Sequence, residues 1–210
     1  MNIANQSLTS NSEELTLEIT ERNTLEKIKD CAEELNDDNL EDDRLRYINK
    51  HLMNIDTTLI RNFSGLFSDC LHITDLSALS HWNVVNGTTF NAMFFDCQFL
   101  EDNEGLSNWN VSKGTNFSMM FECCGLESLS ALSHWDVSNG SDFKGMFDGC
   151  DSLKDITPLV NWCIPEGYDV TNMFDDFDTD DLPKNISEDQ IEWLNKNIKR
   201  HELKHECEYE

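Results

Sequence analysis

Apolar residues recur along the middle of this chain with one period. A phenylalanine follows Met or Leu at Phe67, Phe94, Phe121, Phe147 and Phe174, at intervals of 27, 27, 26 and 27 residues. Tryptophan recurs at Trp82, Trp109, Trp135 and Trp162, and cysteine at Cys70, Cys97, Cys124 and Cys150, with Phe177 in the cysteine position of the last unit. Three independent columns sharing one period mark a repeat architecture, in which a unit too small to bury its own apolar face stacks on its neighbours. Within a unit, Phe90, Met93, Phe94 and Cys97 lie at i, i+3, i+4 and i+7, the spacing of one face of a short helix. Phe63/Leu66/Phe67/Cys70, Phe117/Met120/Phe121/Cys124 and Phe143/Met146/Phe147/Cys150 repeat it. The pairs Trp82/Val84, Trp109/Val111 and Trp135/Val137 alternate with period two, as a strand does. Turn residues follow at Asn86-Gly87, Lys113-Gly114 and Asn139-Gly140. The pattern predicts an α/β solenoid, a leucine-rich-repeat-like array of strand-turn-short-helix units of about 26–27 residues. The Phe, Trp and Cys columns are its core ladders, each full burial contributing roughly 1.5–3 kcal/mol.

The flanks read as helical caps. Residues 1–12 are polar and expected to be disordered. In the segment 13–60, Leu15, Leu17 and Ile19 alternate like an edge strand. Asn23 and Glu26 form a capping box ahead of Leu25, Ile28, Ala32 and Leu35, and Leu45, Ile48 and Leu52 suggest a second helix. The array is expected over 61–182 and a C-terminal cap over 183–210, where Ser187 to Gln190 open a helix carrying Ile191, Leu194 and Ile198. Either flank could instead serve as a partner-binding arm.

The phrases HWDVSNGSDFKGMFDGCDSL and NWNVSKGTNFSMMFECCGL resemble the BspA-like leucine-rich-repeat unit of bacterial surface proteins, also called the DUF285 repeat. The resemblance spans about residues 60–180. It implies a repeat array that binds other macromolecules and brings no catalytic residues with it. The usual Val-Thr-Asn-Met turn becomes Gly-Thr-Thr-Phe at 87–90 and Gly-Ser-Asp-Phe at 140–143, and returns as Val170-Thr171-Asn172-Met173.

Charge narrows the function. The 210 residues carry 41 Asp and Glu against 15 Lys and Arg, a net charge of −26. Residues 63–182 hold 20 of the acids and three lysines, Lys113, Lys144 and Lys154, a net −17. Direct binding to nucleic acid or an anionic membrane is disfavoured, because both need clustered cations. The acids fall into columns. Asp69, Asp96 and Asp176 precede the ladder cysteine or its substitute, and Glu122, Asp148 and Asp175 sit one position earlier. Stacked about 5 Å apart, like charges repel by about 1 kcal/mol in a water-like dielectric. Two readings stay open: a solvated face that confers solubility, or a partner-binding stripe that meets a basic surface.

Other chemistry is weak. No phosphate loop, HExxH, G-x-S-x-G or EF-hand loop occurs. The run Asp175 to Asp181 lacks the Gly and terminal Glu of a tight calcium loop. His201, His205 and Cys207 have ligand-like spacing in what reads as a tail. No cofactor, metal or catalytic group is expected. With no export signal or membrane span in the sequence, the cytoplasm is the expected compartment, and the eight cysteines should be free thiols. The expected function is a non-catalytic binding module. It would be an acidic inhibitor or immunity-type protein that occludes the basic surface of a toxin or nucleic-acid enzyme. The alternative is a surface, adhesin-like protein with an extracellular ligand.

Overall fold

Two helices begin the molecule, α1 (Ile3–Glu34) and α2 (Asp42–Met53). The computed structural model describes residues 3–37, 40–164, 169–170 and 172–174. Ile28, Ala32 and Leu35 of α1 and Ile48 and Leu52 of α2 are buried, and partly buried Leu25 and Leu45 pack beside them. The helices follow the 3.6-residue period read for this region. In α2, Asp42 and Asp43 occupy the first turn and Lys50 and His51 the last, as the helix dipole favours. The edge strand expected at Leu15, Leu17 and Ile19 is absent, and the disordered tail expected at 1–12 gives way to backbone that is helical from Ile3. Once the apolar turns of α1 are anchored, each added residue extends an existing helix and avoids the cost of nucleation. Oγ1 of Thr20 and of Thr24 then donates to the carbonyl four residues back.

The α/β reading of the repeat is overturned. Among the described residues there is no β-strand, and α1 and α2 are the α-helices present. The units contain turns, four three-residue 3-10 helices (Ser77–Leu79, Glu104–Leu106, Ser130–Leu132 and Thr157–Leu159) and isolated parallel bridges. The physical reason lies in where the backbone N–H groups go. A helix would spend them internally. Here Phe63, Gly65, Phe67 and Asp69 donate to the carbonyls of Thr89, Asn91, Met93 and Phe95 in the next unit, at 2.7–3.0 Å. Phe90, Ala92, Phe94 and Asp96 donate likewise to Asn116, Ser118, Met120 and Glu122. The intervening N–H groups close turns, as Leu66 to Phe63 and Cys70 to Phe67.

Each such turn carries a left-handed residue at its third position, where the geometry demands positive φ. One column comprises Gly65, Ala92, Met119, Gly145 and Asn172 (φ 51 to 63°), and the other Asp69, Asp96, Cys123 and Gly149 (φ 56 to 67°). Two successive four-residue turns point the same residues inward as two helical turns would. The i, i+3, i+4, i+7 pattern therefore marked the buried positions correctly and the backbone wrongly.

The expected strand at Trp and Val fails for a related reason. Trp82 N–H returns to Leu79 O at 3.0 Å and Gly87 N–H to Val84 O at 2.8 Å, so turns consume the groups a ladder would need.

Equivalent positions nevertheless stack. Bridges link Asn62, Thr89, Asn116, Asp142 and Asp169 in succession, and Asp75 to Asp102. The Phe63–Phe90–Phe117–Phe143 rings lie 5.2–5.5 Å apart. The Phe67–Phe94–Phe121–Phe147–Phe174 rings are spaced at 5.5–5.7 Å. The four tryptophans repeat at 6.3–6.4 Å with planes within 3° of parallel. Each indole N–H crosses to the unit before it: Trp109 to Leu79 O, Trp135 to Leu106 O and Trp162 to Leu132 O. The first unit has no predecessor, and the helices stand in for one. Trp82 donates to Leu52 O of α2, Cys70 to Ala32 O of α1, and Glu21 accepts the Arg61 N–H. The C-terminal cap expected at 183–210 lies outside the described residues.

Ala92 and Gly65 occupy the same position of successive turns, and they separate the two backbone readings. With φ of 51°, Ala92→Gly should stabilise by about 0.5–1 kcal/mol, and Gly65→Ala should destabilise by about 1 kcal/mol. In a helix both signs would reverse. Urea unfolding of the two variants decides.

Candidate functional site

Stacking converts each sequence position into a surface column, so the sides of the stack can be read one stretch at a time. The stretches 68–79, 95–106, 122–132 and 148–159 run from the second left-handed turn through the 3-10 turn. They hold eleven acids and one lysine. The stretches 80–94, 107–121 and 133–147, which lie between them, hold two acids and two lysines. The charge is one-sided.

The expected partner-binding acids divide between two neighbouring columns. Asp69 and Asp96 share the left-handed column with Cys123 and Gly149. Aspartate suits that position, because a short polar side chain tolerates positive φ. Ser68 Oγ donates to Asp69 at 2.7 Å, and Gln98 Nε2 to Asp96 at 2.9 Å. Glu122 and Asp148 share the preceding column with Ser68 and Phe95. Neither column is an unbroken line of charge within the described residues, which limits the repulsion that stacking imposes. Asp69 is exposed; Asp96, Glu122 and Asp148 are half-buried. Burial, then the charge of Asp148, push the Glu122 carboxyl above its ordinary value, with Lys144 opposing. Asp175 and Asp176 lie outside the described residues, as do Phe177, His201, His205 and Cys207.

A second set of acids went unrecognised in the sequence as turn acceptors. Asp75, Asp102 and Asp155 each accept the N–H two residues on, at 2.7–2.8 Å, and Ser128 does the same with its hydroxyl at 3.2 Å. Asp56, Asn83, Asn110 and Asp136 form another such column. Hydrogen bonds from Thr58 and Ser138 hold the Asp56 and Asp136 carboxyls below the usual aspartate range. The signal that could have found most of them was Asx-x-Ser/Thr at constant spacing, as at Asp56–Thr58, Asp75–Ser77, Asn110–Ser112, Asp136–Ser138 and Asp155–Thr157. Asn103 was also missed. It interrupts the apolar column of Leu76, Leu129 and Ile156, is 2% exposed, and donates Nδ2 to Ser128 O in the next unit.

The cysteine ladder is structural. Cys97, Cys124 and Cys150 donate Sγ–H to the carbonyls of Phe67, Phe94 and Phe121 at 3.0–3.1 Å. Burial pushes the Cys70 and Cys150 thiols up to about 12, and those of Cys97 and Cys124 upward as well. A thiol held neutral is no nucleophile. The ladder residues Phe67, Phe94, Phe121, Phe147, Phe174, Trp82, Trp109, Trp135 and Trp162 are all buried. His81 and His134 are exposed.

A cavity of about 230 Å³ opens between α1 and α2 beside Lys27, Cys31 and His51. Arg44 pairs with Glu34 across it and lies 4.7 Å from the Tyr47 ring, which in turn sits 4.2 Å from His51. Among the described residues no group of three or more His, Cys, Asp or Glu could hold a metal ion, and no helix is long and apolar enough to cross a membrane.

The family model described as "Mycoplasma protein of unknown function, DUF285" matches residues 38–128 and again 125–203. The chain belongs to the DUF285 family. Each DUF285 match spans several stacked units, and the first begins just ahead of α2. The acidic stretches from 69 to 159 therefore lie wholly inside the DUF285 region. No curated protein and no solved structure matches the chain.

Two outcomes test this description. Asp136 is replaced by Asn in its own column, so Asp136→Asn should keep the turn and the neutral-pH stability. A carboxyl held low in the folded state contributes stability that is present above the unfolded value and lost as pH falls through the folded one. Wild type should therefore lose stability below about pH 4, and the variant should lose less. Thermal unfolding at neutral and acid pH compares them. A thiol reagent applied to the native protein should modify exposed Cys123 and Cys163 and spare Cys70, Cys97, Cys124 and Cys150. Mass spectrometry of the labelled peptides reads the result.

Proposed function

We infer that this DUF285 protein is a non-catalytic binding module whose acidic side covers a basic surface of a protein partner, and that it acts in the cytoplasm. The observation that carries the reading is the one-sided charge, eleven acids and one lysine against two and two on the two parts of the circuit. Asp75, Asp102 and Asp155 fasten turns on the acidic side, and the other eight acids keep to the same side. A toxin or a nucleic-acid enzyme has the kind of cationic surface such a side would cover, and binding would exclude the natural polyanionic ligand. Kinship with the BspA-like repeat, finer than DUF285 membership, belongs to the same proposal and rests on the Trp-Asp/Asn-Val-Ser and Met-Phe-x-x-Cys columns.

The mechanism is long-range attraction followed by occlusion. Opposite charges at the rim of an interface speed encounter and weaken as salt screens them, over a Debye length of about 8 Å at physiological ionic strength. The rigid ladders beneath hold the acids in place, so little side-chain ordering is required of the core.

Affinity capture with two baits tests the proposal. One bait is native; the other carries Asp69→Asn, Asp96→Asn, Glu122→Gln and Asp148→Asn. The expected result is a basic protein held by the native bait, released by raised salt, and bound at least about tenfold more weakly by the neutralised bait. Equal, salt-insensitive retention by both baits would sink the charge mechanism.

A further inference from the structure

Among the described residues the ladder phenylalanines are buried and Phe99 is not. The ladder rings are at most 8% exposed, whereas Phe99 is 57% exposed. Phe99 sits two residues after ladder Cys97, on the acidic side. In the unit before it, Leu71 follows ladder Cys70 and is 38% exposed, so two apolar side chains stand out from adjacent units. Acids lie on both flanks of this outcrop. Asp69 and Asp96 precede the ladder cysteines, and Asp75, Glu101 and Asp102 follow. No lysine or arginine occurs between Arg61 and Lys113. His72 occupies the position of Phe99 in the unit below, so the stack does not require a phenylalanine there.

An exposed ring with charges of one sign before and after it is the arrangement of an interface anchor: an apolar centre that desolvates fully, inside a polar rim that orients the approach. We propose that Phe99, with Leu71 exposed in the unit before it, is the apolar anchor of the acidic surface, and that the segment it receives presents an apolar or aromatic cluster flanked on both sides by Lys or Arg. The proposal rests on the function inferred above and adds to it the place of contact and the chemistry of the partner. The charges set approach and register; the ring supplies the larger share of residence time, because burying an aromatic slows dissociation while rim charges act mainly on association.

The test uses the full chain and a phage-displayed library of random peptides, selected against the native protein and counter-selected against the blank support. The expected peptides combine an apolar or aromatic cluster with flanking Lys or Arg. Their affinity should fall about thirtyfold on Phe99→Ala, the loss typical of a central aromatic anchor. It should also fall with salt and with Asp96→Asn/Glu101→Gln. Phe99 is exposed, so Phe99→Ala should leave the thermal midpoint unchanged, which separates lost binding from lost folding. Basic peptides that bind native and Phe99→Ala protein equally would overturn the anchor while leaving the acidic mechanism standing. Apolar peptides without Lys or Arg, indifferent to salt, would overturn the proposal together with that mechanism. Failure to enrich any peptide over the support would overturn the outcrop as a binding surface.

Discussion

Half of the backbone N–H groups in each of the first three Phe-x-x-Met/Leu-Phe-x-x-Cys segments have their acceptor in the next unit, and the rest of the molecule follows from that constraint. For Phe63, Gly65, Phe67 and Asp69 to face the neighbour, the chain must turn between each pair. The turns require positive φ at two positions per unit, and the chain meets this with Gly, Asp and Asn at some and with Ala92, Met119 and Cys123 at others. A non-glycine residue there costs about 1–2 kcal/mol. Stacked rings and cross-unit hydrogen bonds over-determine the geometry and hold it. Phe and Trp columns at 5.2–6.4 Å fill the interior, while indole and thiol donors reach back to carbonyls of the preceding unit. At the first unit, α1 and α2 present the carbonyls of Ala32 and Leu52 in the same roles. The helices are thus joined to the stack by its own hydrogen-bond pattern as well as by apolar contact.

The same constraint organises the surface. Because equivalent residues superpose along the stack, a preference at one position of a 27-residue unit becomes a stripe. Acids concentrated after the second left-handed turn become an acidic side, and the Asn, Ser and Thr of the remaining stretch become a neutral one. There the hydroxyls of Thr88, Thr115 and Ser141 are engaged with carbonyls one unit back. Part of the acidity is structural, since Asp75, Asp102, Asp136, Asp142 and Asp155 each fasten a turn.

The repeat, its period and the inventory of buried residues were legible in the sequence. Phe67, Trp82, Cys97 and their equivalents are buried where the columns put them, since burial needs only that each unit present the same side chains to its neighbour. Amphipathic spacing showed α2 and the buried turns of α1 from Leu25 to Leu35, but not the helix that runs from Ile3 through the positions read as a tail, an edge strand and a cap at Asn23. The net negative charge of the array needed only counting.

Backbone conformation inside the unit was decided by tertiary structure alone. A spacing of i, i+3, i+4, i+7 is shared by a helix and by two successive four-residue turns, and local pattern does not distinguish them. The difference is whether an N–H finds its acceptor four residues back or about 26 residues ahead, and that acceptor exists only once the next unit is in place. The buried amide of Asn103 and the exposure of Phe99 depend on the same event. Sequence determines which residues recur; stacking determines what each recurring residue faces.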